Sequence, residues 1–340
     1  MPVTQADWLS NFSSTAVPFI EVKKKNGELK PRYFSIANKN ICINCSTVHV
    51  AEQFTKSLSH LQVSPFLETD LDVFVWARED NFHNNEATNY GPEIDYTSSD
   101  GIIYQFNEQS ISVYDSIKKR AYFWVNSMES LGDWNFAKPF RSIFHWYLSQ
   151  FDLSMIHGAV VGTELGGVLI TAKGGSGKTT TALSCFFEGM NYLSDDYVAI
   201  DSSSSIAYSL FNSAMLTQDN LVRFSRLEAY VKNPKRPAGI KALVYLNEVN
   251  SALLQSQITL KALLIPKITL STVAEIIPVN KVNALMAIAP TIRSLRNFEQ
   301  QKLTAAKLIA SNLPCFEFRL SSNVNDNVAE LKRFINARND

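Results

Sequence analysis

Apolar and polar residues alternate in short runs over the first part of the chain and give way to helix-spaced apolar stripes further on. Tyr33 to Ala37 and Ile41 to Cys45 flank Asn38-Lys39-Asn40, which predicts a β-hairpin. Further strands are predicted at Leu71 to Ala77, Gly101 to Phe106, Ser110 to Tyr114 and Ala121 to Val125. Val50 to Leu61 reads as a helix, and the polar segment from Glu79 to Asp100 reads as a loop. Together these elements make residues 1–137 a smaller α+β domain without an evident catalytic motif. Substrate recruitment, partner binding and a purely architectural role all fit it.

Residues 138–340 read as a second domain of α/β type. Its entry is a helix over 138–151, with Pro139 in the first turn and His145 as a packing residue among Phe144, Trp146 and Tyr147. Ala159 to Val161 and Val168 to Thr171 predict strands joined through Thr163 to Gly167. A helix then starts near Thr179, because Ala182, Leu183, Phe186, Phe187 and Met190 fall on one stripe and Gly189 suits its end. A strand-like stretch from Tyr192 to Ile200 carries the adjacent acids Asp195 and Asp196. Asp201 to Ser205 forms a polar turn before Ile206 to Leu210. The chain closes with a strand at Phe316 to Leu320 and a helix from Val324 to Arg338, and no fixed-period repeat is present.

Between the strand at 168–171 and the helix lies Ala172-Lys173-Gly174-Gly175-Ser176-Gly177-Lys178-Thr179. A glycine-rich strand-to-helix turn lets backbone N–H groups close around a polyphosphate. The motif assigns Lys178 to the β/γ-phosphates, Thr179 to Mg²⁺, and the run from Lys173 through Gly174, Gly175, Ser176, Gly177 and Thr179 to Thr180 to the nucleotide, with ATP and Mg²⁺ as cofactors.

Composition narrows the field around that motif. Hydrophobic residues make up 46% and charged residues 19% of the 340, as expected of a folded globular chain. The 32 basic and 32 acidic residues cancel, so there is no electrostatic footprint of nucleic-acid binding. No apolar run approaches the roughly 18 residues of a membrane span, and Met-Pro-Val-Thr-Gln-Ala-Asp lacks a basic leader, so a cytoplasmic protein with no membrane partner is expected. Four cysteines are too few for a secreted disulfide framework. Cys42 and Cys45, with His49 nearby, have a metal-ligand spacing but no second pair, and they alternate as in an ordinary strand.

Residues 157–200 resemble the catalytic core of the HPr kinase/phosphorylase family, a P-loop kinase group. The order of features carries the likeness: His157-Gly158, the Gly-Val-Leu-Ile-Thr strand from Gly167, Gly-Lys-Thr-Thr-Thr-Ala-Leu, Gly189, then Leu193-Ser194-Asp195-Asp196-Tyr197-Val198. The resemblance implies a P-loop-containing, PEP-carboxykinase-like mixed sheet with helices and an ATP-dependent kinase acting on a hydroxyl, most readily a serine of a protein or peptide. It places His157, Lys178, Asp195 and Asp196 in the active site. Asp195 then takes the base role and Asp196, with Thr179, the metal side, since successive strand residues face opposite ways; the spacing leaves the swap open. The close match covers about residues 138–210. A downstream family signature has a glutamate two residues before an arginine, and here Pro234 takes the glutamate's place. Arg236 and Gly239-Ile240 correspond to the rest, which implies a divergent kinase relative instead of an authentic HPr kinase. Among Lys173, Arg223, Arg226, Lys235 and Arg236, the resemblance favours Arg236 as the phosphoryl-stabilising cation.

Two other readings compete. Lys173 to Thr179 also matches the deviant P-loop of ParA/MinD-like ATPases, which are switches, and a nucleotide-sensing module without catalysis is the third class. The acceptor is a protein, peptide or small-molecule hydroxyl in the kinase reading, and a homo-oligomer is compatible with it.

Overall fold

The structure, a computed structural model, describes residues 12, 14, 17–78, 94–97, 101–107, 109–269, 271–292 and 299–338. Most of the expected loop from Glu79 to Asp100 lies outside these residues, although 94–97 forms a strand. The chain is a mixed α/β structure that divides into two compact units, Met1–Lys56 with Leu61–Tyr147, and Ser57–His60 with Leu148–Asp340. Among the described residues no helix is long and apolar enough to cross a membrane.

The first unit runs α1 (Val17–Lys25), β1 (Lys30–Ile36), β2 (Lys39–Cys45), α2 (Val48–Thr55), β3 (Leu71–Ala77), β4 (Ile94–Thr97), β5 (Ile102–Phe106), β6 (Ser110–Asp115), β7 (Arg120–Val125), α3 (Asp133–Ala137) and α4 (Arg141–Leu148). Its seven strands pair in the order β1-β2-β3-β7-β6-β5-β4, parallel across β2–β3 and β3–β7 and antiparallel elsewhere. The predicted hairpin forms because Ala37 and Asn38 both take left-handed backbone (φ 51° and 59°), the geometry that matches strand twist in a two-residue turn. Cys42 and Cys45 sit in β2 as buried free thiols, and burial pushes the Cys42 thiol up to about 12.

The expected boundary after residue 137 moves. Phe140 packs against Phe54 and Phe123 with ring centroids 5.7 and 5.3 Å away, and Tyr147 meets Tyr114 at 6.2 Å. These rings hold α4 to the first unit as far as Tyr147, so the helix expected to open the second domain closes the first. Pro139 also falls outside it, since Phe140 has φ 55° and the helix begins at Arg141.

The second unit contains β8 (Leu153–His157), β9 (Ala159–Thr163), β10 (Gly166–Ile170), α5 (Lys178–Phe187), β11 (Asn191–Ser194), β12 (Tyr197–Asp201), β13 (Ile206–Ser209), β14 (Ser213–Leu216), α6 (Gln218–Arg223), β15 (Ala242–Tyr245), α7 (Asn247–Asn250), β16 (Gln257–Ile268), β17 (Glu275–Pro278), α8 (Lys281–Ile288), α9 (Glu299–Asn312), β18 (Cys315–Leu320) and α10 (Val324–Asn336). Nine strands form one mixed sheet, with the path β11-β9-β10-β16-β13-β12-β8 and with β18 on β16 and β17 on β18. β10 runs antiparallel to β9 and parallel to β16. Its apolar run is buried on both faces: Val168 and Ile170 join a core with Ala182, Leu183, Phe186 and Leu331, whereas Leu169 joins another with Ala284, Ile288 and Ile309. A strand covered on both sides needs no alternation, which is why this one reads as a continuous apolar stretch.

One break line crosses the sheet. Only Gly158 separates β8 from β9, and only Asp195 and Asp196 separate β11 from β12. The two interruptions are bonded to each other, Gly158 N–H donating to the Asp196 carbonyl at 2.7 Å. A Cβ at Gly158 would come within 3.0 Å of Leu169 Cδ1 and 3.2 Å of the Ile170 carbonyl oxygen, so the closeness of β10 depends on that glycine.

Candidate functional site

The glycine-rich loop leaves the carboxyl end of β10 and turns into α5. Gly175 and Gly177 have φ 77° and 94°, and Gly177 caps the helix in left-handed conformation. Around Gly174 and Gly175 a Cβ would meet nothing within 4 Å, so the loop backbone is open on that side. Lys178 is buried, and its ammonium donates to the carbonyls of Ala172 (2.6 Å) and Lys173 (3.1 Å). Burial lowers its pKa, Asp196 and then Asp195 raise it, and the charge of Lys241 lowers it again. Two carboxylates and a second lysine therefore share the field of one buried ammonium group.

The carboxylates stand on a bend, not within the strand expected from Tyr192 to Ile200. Ser194 builds this bend: its hydroxyl accepts the Asp196 N–H (3.2 Å) and donates to the Tyr197 carbonyl (2.8 Å). Strand alternation therefore does not apply to the pair. Asp195 is turned inward at 4% exposure, beside the buried Tyr192, whose phenol is held well above its ordinary value by burial and by that carboxylate. Asp196 keeps 29% of its side chain exposed, and its Oδ1 lies 3.0 Å from His157 Nε2. His157 ends β8; it pairs with Tyr197 across the ladder, and their rings lie 5.6 Å apart.

The structure thus brings Lys178, Asp195, Asp196 and His157 together, while other expected residues have different duties. The Thr180 hydroxyl donates to Asn220 Oδ1 at 2.9 Å and so ties α5 to α6. Arg236 donates to Gln218 Oε1 at 3.0 Å, also on α6, while the Arg226 guanidinium stacks 4.4 Å over Phe187. Lys173, Arg223 and Lys235 are exposed. Lys241, Gln218 and Asn220 carry no sequence signature; only their tertiary placement marks them.

The chemistry of these groups fits a nucleotide and a magnesium ion. Ser176 Oγ is shielded from solvent with no hydrogen-bond partner among the described residues, and it stands in the same open loop. Among the described residues no three His, Cys, Asp or Glu side chains gather as a metal set. The Asp195-Asp196 pair offers two carboxylates, and Mg²⁺ is an ion usually held by one or two carboxylates together with substrate phosphates.

Comparison with known proteins adds little. No protein-family model matches the chain, and no curated protein sequence does. Among solved structures it is similar to the Hpr(Ser) kinase/phosphatase from Coxiella burnetii, with 8% identity and a TM-score of 0.31, over 54% of this chain and 95% of that one. A likeness this distant carries no argument about activity.

Proposed function

We propose that the second unit is an ATP-dependent, Mg²⁺-assisted phosphotransferase that moves the γ-phosphoryl group to a hydroxyl, most readily a serine of a protein or peptide. The observation that carries this reading is the buried Lys178 ammonium at the foot of a left-handed glycine loop, within the field of Asp195 and Asp196. Phosphoryl transfer asks a protein for positioning, charge neutralisation and a base near the attacking oxygen. The loop N–H groups and Lys178 take the first two tasks for the phosphates. Mg²⁺, held by Thr179 and a carboxylate of the pair, would neutralise further phosphate charge.

For the base, exposure favours Asp196 over the expected Asp195, because an acceptor must reach the carboxylate. Its bond to His157 supplies the orienting partner that such a group needs. Asp195, turned inward beside Lys178, is left as the carboxylate that would share Mg²⁺ with Thr179. Arg236 has its guanidinium on Gln218 and acts in this account as a support for the segment that carries it.

The test is to incubate the full chain with γ-labelled ATP, Mg²⁺ and serine-containing peptides or a lysate. Label should appear on a hydroxyl, and Asp196→Asn should slow transfer by roughly 10² to 10⁴ while Mg-ATP binding persists. ATP-dependent dimerisation without transfer would instead favour the switch, and binding without turnover the sensor.

A further inference from the structure

The carboxyl end of β16 projects past the strand that leads into the glycine-rich loop. β10 and β16 run parallel as far as Ile170, which pairs with Leu264, while β16 continues along β18 to Ile268, the partner of Leu320. Ala262 and Leu264 belong to the core shared with Ala182 and Leu183 of α5, so strand alternation sets Ile268 on the α5 face as well. There it meets the loop. A Cβ at Gly177 would stand 3.9 Å from Ile268 Cγ1 and 2.8 Å from Leu320 Cδ1.

Leu320 is buried in the core, whereas Ile268 is 65% exposed. Single exposed apolar residues are common, and its place beside Gly177 is what distinguishes this one. Thr269 donates to the Leu320 carbonyl from both its N–H (3.2 Å) and its hydroxyl (2.8 Å), and Ser322 N–H donates to the Ser271 carbonyl at 3.1 Å. The two strand ends are thereby fastened together, and Ile268 forms a fixed apolar step at the rim of the loop. On the sheet path β11-β9-β10-β16, Asp195 and Asp196 follow β11 on one side of the loop, and Ile268 ends β16 on the other.

We propose that Ile268 is the platform for the base of the nucleotide, one face of the ring lying on its side chain while the phosphates lie on the loop. The inference rests on the nucleotide-binding part of the reading above. In that reading the terminal phosphate is directed toward the side of the loop where Asp196 meets His157. The other end of the nucleotide then falls toward β16 and β18. The faces of a nucleobase are flat and largely apolar, so covering Ile268 removes apolar surface of both partners from water. A hydroxyl acceptor has to reach Asp196 instead, across the loop, which is why the base and not the acceptor is assigned to Ile268.

The experiment measures dissociation constants of the full chain for Mg-ATP and for Mg-tripolyphosphate, which has the phosphates without ribose or base, in wild type, Ile268→Ser, Ile268→Asn and Ile268→Leu. Loss of an apolar contact of roughly 40–50 Å² corresponds to about a five- to tenfold weakening. Ile268→Ser and Ile268→Asn should lose Mg-ATP affinity by about that factor, leaving Mg-tripolyphosphate within about twofold, and Ile268→Leu should retain both. Unchanged Mg-ATP affinity in the polar variants, or an equal loss for the two ligands, overturns the platform while the nucleotide reading stands. A wild-type protein that binds neither ligand overturns both. The predicted binding pattern without transfer of label from γ-labelled ATP would overturn the phosphotransfer step and leave the base site in place. Ile268 is exposed, so matching thermal melts are expected for all four proteins, and two polar variants guard against a folding defect in one.

Discussion

A side chain at position 177 would have to hold φ near 94° and bring its Cβ to 2.8 Å from Leu320 Cδ1. The left-handed backbone alone costs a non-glycine residue about 1–2 kcal/mol, and the Leu320 methyl would have to move as well. Gly177→Ala is therefore expected to lower stability by about that amount and to abolish Mg-ATP binding, measured by denaturant midpoint and by titration. An alanine variant that binds Mg-ATP as wild type would show that the loop conformation is not what the ligand needs. At this scale the sequence was legible wherever the signal was local. Gly175, Gly177 and Lys178 belong to one short run with one geometry. The Asp195-Asp196 pair was legible as a pair, but which acid faces outward was not, because that follows from the Ser194 turn and not from alternation.

Secondary elements with strong local patterning were legible along the chain. The hairpin at Ala37 and Asn38, strands β3 and β5–β7, the β9–β10 pair, α5 and the closing β18–α10 unit all stand close to where the pattern puts them. The stretch from β14 to α9 was not read, and β16 shows why. It runs twelve residues and pairs with β10, β13 and β18, partners far away in sequence that no local window contains. Ser57–His60 was read as part of a helix from Val50 to Leu61 and is helical, but where it packs was not legible: its sequence neighbours belong to the first unit, yet it packs in the second. His60 Nε2 lies 2.7 Å from Ser209 Oγ, which donates to the Leu193 carbonyl, and Asn212 Nδ2 lies 3.3 Å from His60 Nδ1. Burial lowers the His60 pKa from 6.5 to about 4. A base whose folded pKa is depressed binds fewer protons folded than unfolded, so stability is fully present above the unfolded value and falls as pH drops from about 6.5 toward 4. The loss over that window is up to about 3 kcal/mol. Denaturant melts across it should show the decline in wild type and a flatter profile in His60→Gln; parallel profiles would mean that another group carries the pH dependence.

Across the whole molecule, the chain passes from one compact unit to the other after Tyr147, held there by aromatic packing of Phe140 and Tyr147 that composition does not report. Among its described residues the first unit gathers no His, Cys, Asp or Glu cluster, and the functional claim rests on the second unit. There the sheet breaks at Gly158 and at Asp195-Asp196, and the break presents one histidine, two carboxylates and a buried lysine beside a glycine loop. The claim common to every part of this account is that Lys178 serves a polyphosphate. Titration of Mg-ATP into the full chain and into Lys178→Ala, with circular dichroism to confirm that both are folded, tests it most directly. The account predicts saturable binding in wild type and its loss by at least about tenfold in a folded Lys178→Ala protein, since the lysine removed is the charge placed at the phosphates. Equal Mg-ATP affinity in the two folded proteins would contradict it.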